Sequence, residues 1–123
     1  MAKILYFEDD KKYRELISSF LGNYGHTDSY ANPDIFILEK GDKALLEYDL
    51  LVTDNSMPNG MRGIDFVKKY IQGKGINLKV LFHFGGDERV IKEAGILNYR
   101  FVLKPEDPQK LFKTIEEMLK QDN

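Results

Sequence analysis

The fold turns on residues 48–58, YDLLVTDNSMP, in which the apolar run Leu50 to Thr53 ends abruptly at Asp54 and a proline follows at position 58. A run this short, aliphatic and closed by polar residues suits a strand buried on both faces rather than a helix. Three further runs share its form, Ile4 to Phe7, Val80 to Phe84 and Phe101 to Leu103, and each stops at polar or glycine residues.

The segments between these runs carry a helical period. Tyr13, Leu16, Ile17, Phe20 and Leu21 fall at i, i+3, i+4, i+7 and i+8, one face of a helix that Gly22 or Gly25 can end. Leu111, Phe112, Ile115, Met118 and Leu119 repeat the pattern after Pro108, so both helices are expected to be amphipathic. A further strand is expected around Thr27 to Ala31. A helix follows between Pro33 and Leu46, where Gly41 interrupts the pattern, and other helices are expected around Ile64 to Ile71 and Glu88 to Ala94. Strands that alternate with helices imply a single doubly wound α/β domain over residues 1–123, with a five-stranded parallel sheet and helices on both faces.

Composition agrees. With 123 residues, 42% hydrophobic and 31% charged, the chain can close one core as an ordinary globular domain. A net charge of -2 argues against a surface built to neutralise nucleic-acid phosphates, so no direct nucleic-acid partner is expected. The absence of cysteine removes disulfides and thiolate metal sites and fits a reducing compartment. The N-terminal MAKILYFEDD passes straight from a short apolar run into acids, unlike a signal peptide, and no segment approaches the roughly 20 apolar residues of a membrane span. A cytoplasmic protein with no membrane partner is expected.

In an open parallel sheet the ligand site forms where the carboxyl ends of the strands meet their loops, and the unusual polar residues fall there. Glu8, Asp9 and Asp10 follow the first strand, Asp54 follows the third, Gly85 and Gly86 the fourth, and Lys104 with Pro105 the last. Carboxylates held together repel one another until one takes a proton or they share a cation, and hard oxygen donors of this kind suit Mg2+. An aspartate beside such a cation can attack phosphorus and form an acyl phosphate, and Asp54 is the candidate, with Lys104 supplying a compact positive charge.

These residues resemble response-regulator receiver domains, the phosphoacceptor half of two-component signalling. KILYFEDDKKYRELISSFL (residues 3–21) is similar to the family's first strand, acidic pair and first helix, with Glu8 and Asp9 in the pair positions and Arg14 in its usual place. YDLLVTDNSMP is similar to its third strand with the acceptor aspartate, and FVLKP (residues 101–105) to its last strand with the Lys-Pro step. The resemblance implies the flavodoxin-like receiver fold. It makes Asp9 a direct Mg2+ ligand, Glu8 a ligand mainly through water, and the Ser56 backbone carbonyl a further one. Asp54 becomes the phosphoacceptor and Lys104 the contact to the phosphoryl oxygens. Phe101 takes the position of an aromatic that turns inward on activation, and the Ser56 side chain can tune how fast water removes the phosphoryl group.

The sequence also departs from the family. The fourth strand normally ends in Thr or Ser and a small residue, whose hydroxyl binds the phosphoryl group. LFHFGG places Phe84 at the hydroxyl position, where it cannot donate that bond, and Gly85 at the small one. His83 would stand in only if the strand register slipped by one residue. Neither His26 nor His83 belongs to a metal-spacing pair. Without the hydroxyl, Phe101 reads as a core aromatic before it reads as a working switch. The stretch from Gly86 to Gly95 is about one helical turn shorter than the family's usual, and Ile96 to Tyr99 slightly long, so the face of the fourth helix and last strand is atypical.

The reading that follows is a phosphoacceptor, not an enzyme beyond self-phosphorylation from small donors and autodephosphorylation. It takes its phosphoryl group from a histidine kinase or phosphotransfer protein. No output domain follows Asn123 in this sequence. The expectation is a stand-alone receiver that signals by noncovalent contact with a downstream protein, or a fragment of a longer chain. A rival reading is a receiver-like interaction module independent of phosphorylation, supported by Phe84. A third is an α/β phosphohydrolase or phosphotransferase; it wants a second acid two residues after the nucleophile, where Ser56 stands.

Overall fold

Strands whose side chains are apolar in both directions bury both faces, and the chain wraps helices over each. The computed structural model describes residues 1–85, 88–96, 98–104 and 108–120. In chain order the elements are β1 (Lys3–Phe7), α1 (Lys11–Leu21), β2 (His26–Tyr30), α2 (Pro33–Lys40), a 3-10 turn (Asp42–Glu47) and β3 (Leu50–Thr53). There follow α3 (Gly63–Phe66), continued as a π-helix over Val67–Gln72, then β4 (Lys79–Phe84), α4 (Glu88–Ile96), β5 (Arg100–Leu103) and α5 (Pro108–Lys120). All neighbouring strands are parallel, in the order β2-β1-β3-β4-β5. This is the doubly wound α/β architecture expected from the sequence.

Strand alternation divides the core. Leu5, Phe7, Leu51, Val80, Phe82 and Phe84 face one layer with Phe36 of α2 and Ile64 and Phe66 of α3. Ile4, Tyr6, Leu50, Val52, Leu81 and Val102 face the other, with Ile17 and Leu21 of α1 and Leu111, Phe112 and Ile115 of α5.

Local chemistry sets the element ends. Asp10 caps α1 by accepting the Tyr13 N–H at 3.0 Å, and Asn32 caps α2 by accepting that of Ile35 at 3.0 Å, with Pro33 at the first position. Gly41 adopts φ +80°, a left-handed value that suits glycine, so α2 stops there and resumes only as the 3-10 turn. Helix α1 ends at Leu21, with Gly22 rather than Gly25 as its cap. Its expected apolar face is only partly covered. Ile17 and Leu21 are buried, whereas Leu16 and Phe20 stay 52% and 43% exposed, Phe20 leaning on Phe112 with ring centroids 5.1 Å apart.

Helix α2 contrasts Phe36, fully buried against Phe7, Tyr30 and Tyr48 with centroids 5.4–6.0 Å apart, with Leu38, which is 87% exposed. Phe36→Ala is expected to cost about 3–5 kcal/mol in denaturant unfolding. Leu38→Ala should change stability by less than about 0.5 kcal/mol.

Candidate functional site

Strand β1 lies between β2 and β3, so the chain leaves it in one direction and returns on its other side, and the loops after β1 and β3 part to leave a crevice. The loops carry the acids. Glu8 prolongs the ladder, its N–H donating to Tyr30 O at 3.1 Å, and its carboxylate is 1% exposed while Asp9 beside it is exposed. Arg14 reaches back from α1 to donate to the Glu8 carbonyl at 2.7 Å and, more weakly, to that of Asp9 at 3.4 Å. Asp10, the third acid of the run, caps the helix with its carboxylate, and its own N–H donates to Glu8 Oε2 at 3.2 Å.

Across the crevice the Asp54 N–H donates to Phe7 O at 3.1 Å, which fixes the backbone, and the side chain is nearly buried. Its Oδ1 accepts the Asn55 N–H at 2.7 Å and the Ser56 N–H at 3.4 Å, and its Oδ2 accepts from Lys104 Nζ at 3.1 Å. The same ammonium donates to Glu8 Oε1. Lys104 comes from the end of β5, where its own N–H donates to Phe84 O at 2.7 Å. Carboxylate oxygens of Glu8, Asp9 and Asp54 lie within 4.8 Å of one another.

Burial is the largest influence on Glu8 and pushes its carboxyl up to about 7, against the partial relief given by the hydrogen bond from Lys104. Burial also works against the Lys104 ammonium, but the hydrogen bond to Glu8 and the charges of Asp54 and Glu8 outweigh it and raise its pKa. The pocket thus keeps its cation and leaves one buried carboxylate short of stabilising charge.

Beside the acids opens a cleft of about 630 Å³, lined by Asp54, Ser56, Arg62, Phe84, Gly85 and Arg89 among others. The register Phe84↔Leu103 turns Phe84 toward this cleft, and His83, paired with Val102, faces the opposite layer, so the one-residue slip does not occur. Phe101 is 38% exposed on β5, an edge strand, with its ring centroid 6.0 Å from that of Phe84, and the core-aromatic reading of it is corrected. Pro105 and Gly86 lie outside the described residues.

The sequence reading missed three parts of the site. Asn55 is buried and its Oδ1 accepts the Ile64 N–H at 3.1 Å, locking the start of α3 to the acceptor loop. A Cβ on Gly63 would lie 2.2 Å from the Asp54 carbonyl oxygen, so only glycine lets α3 come this close. Tyr13, taken for a helix-face residue, has its ring 4.8 Å under Lys104 Nζ. The first two depend on a loop path that no periodicity reveals; an aromatic one helical turn after the acidic pair was the available sign of the third.

No protein-family model matches the sequence. Among solved structures, the chain is similar to the chemotaxis response regulator CheY4 of Vibrio cholerae, at 26% identity over 96% of this chain and 98% of that one, with a TM-score of 0.76. It also superposes on the non-phosphorylated HemR receiver domain of Leptospira biflexa, at 20% identity over 100% and 98% and a TM-score of 0.82. A BeF3-activated DrrB receiver domain matches at 18% identity over 98% and 99%, with a TM-score of 0.81. The five-stranded order, the acids at the ends of β1 and β3 and the lysine at the end of β5 thus stand on the fold of response-regulator receiver domains.

Proposed function

We propose that this chain is a receiver that accepts a phosphoryl group on Asp54 and acts through protein contacts. The observation that carries the reading is the convergence of Asp54, two further carboxylates and Lys104 at the switch point of the sheet. The proposed donor is the phosphohistidine of a histidine kinase or phosphotransfer protein. An Asp54 carboxylate oxygen forms the new P–O bond, the P–N bond breaks, and the departing imidazole takes a proton from solvent. The N–H groups of Asn55 and Ser56 orient the carboxylate. Lys104, already at Asp54 Oδ2, moves with the developing charge onto the phosphoryl oxygens.

The donor set fits Mg2+: hard carboxylate oxygens within reach of one another, one of them on an exposed residue, and a buried Glu8 whose charge a cation would relieve. Asp9 and Asp54 are the proposed direct ligands with the Ser56 carbonyl, and Glu8 the ligand through water. Bound there, the ion would neutralise charge on the transferring phosphoryl group. The proposed chemistry is stoichiometric acceptance and slow hydrolytic loss rather than turnover of a separate substrate.

One observation favours a second reading. Phe84 brings a buried ring rather than a hydroxyl to the cleft, which removes one hydrogen bond to a phosphoryl group, worth roughly 1.5–3 kcal/mol. That loss suits a module whose partner binding is independent of phosphorylation.

Intact-mass measurement after incubation with Mg2+ and a small acyl phosphate separates the two. The phosphoacceptor reading expects one added phosphoryl group on the parent and none on Asp54→Asn. A parent that gains no mass leaves the phosphorylation-independent module, and an Asp54→Asn variant that gains mass as readily as the parent removes the acceptor assignment.

Glu8 gives an independent check through pH. Its raised pKa means that folding carries no penalty from it below the ordinary value of 4.5 and the full penalty above about 7, a span worth on the order of 3 kcal/mol. Without divalent cations, Glu8→Gln should therefore gain stability relative to the parent as pH rises from 5 to 8. Added Mg2+ should stabilise the parent more than the variant, and thermal unfolding reads both effects.

A further inference from the structure

Behind the acidic pocket, on the face covered by α1 and α5, lies a polar pair that the proposed chemistry does not use. His83 is 2% exposed, and its Nδ1 lies 3.0 Å from the Val102 carbonyl oxygen. A carbonyl only accepts, so Nδ1 carries the hydrogen and Nε2 keeps the lone pair. Burial lowers the imidazole pKa, in keeping with this neutral form. Nε2 is 2.6 Å from the Tyr13 hydroxyl, which therefore donates to it, and the two rings stack at 28° with centroids 5.7 Å apart. The Tyr13 backbone is fixed as well, its N–H bonded to Asp10. Ring, hydroxyl and main chain are all held, and the Lys104 ammonium lies over that ring.

We propose that Tyr13, tethered through its hydroxyl to His83, is a positioning residue that holds the Lys104 ammonium at Asp54. A lysine stem has many rotamers, and Glu8 and Asp54 fix its end only while their charges are free to do so. A cation shared among the carboxylates, or a phosphoryl group on Asp54, changes that attraction; the face of an uncharged ring keeps its attraction throughout. Tyr13 thus supplies the part of the hold on Lys104 that does not depend on the state of the acids. The inference rests on the phosphoacceptor reading only for what Lys104 does next, not for where it is held.

The ε-methylene protons of Lys104 report its place directly, because the ring current of a tyrosine face moves them upfield. In 13C-edited spectra the parent should show this displacement both without and with saturating Mg2+. Tyr13→Phe, which keeps the ring and loses the tether, should show a reduced displacement, and Tyr13→Leu none. Phosphorylation by a small acyl phosphate at saturating Mg2+ should slow about 2- to 30-fold in Tyr13→Leu, the range of a cation–π contact, and less in Tyr13→Phe, with Mg2+ affinity unchanged in both. Lys104 protons at an ordinary lysine position in the parent would overturn the proposal, as would a folded Tyr13→Leu with parental shifts or a parental rate. If Tyr13→Leu does not fold, the parent and Tyr13→Phe decide by the same displacement. A parent that takes no phosphoryl group removes the acceptor reading, while the displacement still decides whether Tyr13 holds Lys104.

Discussion

The end of the sheet is organised by one ammonium group between two carboxylates. Lys104 Nζ bonds Glu8, which is almost wholly buried, and Asp54, which is nearly so, and in doing so ties the ends of β1, β3 and β5 together. Isolated charges at such burial would be too costly to keep, so the ammonium is what permits two acids at the switch point at all. It does not permit them freely. Glu8 remains above the ordinary carboxylate range, and the pocket is left with an appetite for further positive charge.

Backbone geometry does the rest of the positioning. Asp54 is held from behind by Phe7 and in front by its neighbours' N–H groups, and Asn55 and Gly63 bring α3 against its carbonyl. Arg14 fixes the Glu8 turn from α1. Three of these contacts need one particular residue type: an amide that can accept at a helix start, a glycine without Cβ, a guanidinium long enough to span a turn.

Periodicity and composition therefore revealed the architecture and the acidic triad, because strands buried on both faces, amphipathic helices and acids at strand ends all leave local traces. Leu50–Thr53 was legible to the residue, and Gly41 marked the true end of α2. What depends on tertiary approach left little trace beyond the aromatic at position 13. Gly63 reads like any loop glycine until α3 is seen against Asp54, and Leu16 and Phe20 fit the helical stripe although the α1 contacts do not cover them. Phe101 misled for a related reason. Its run looks like a core strand, yet β5 closes the sheet at an edge. His83 looked idle because its two partners, Val102 and Tyr13, lie 19 and 70 residues away.

The close seat of Gly63 has a mechanical meaning. With the α3 start wedged at the Asp54 carbonyl, β3 is backed like an anvil: no space as large as one methyl group separates the helix start from the strand end that carries the acid. The side chain that grips the acid, by contrast, comes from the end of β5, which has a neighbouring strand on one side only. The sheet is thus packed hard at its centre, around Asp54, and left bare at its rim, where the ring of Phe101 stays 38% exposed.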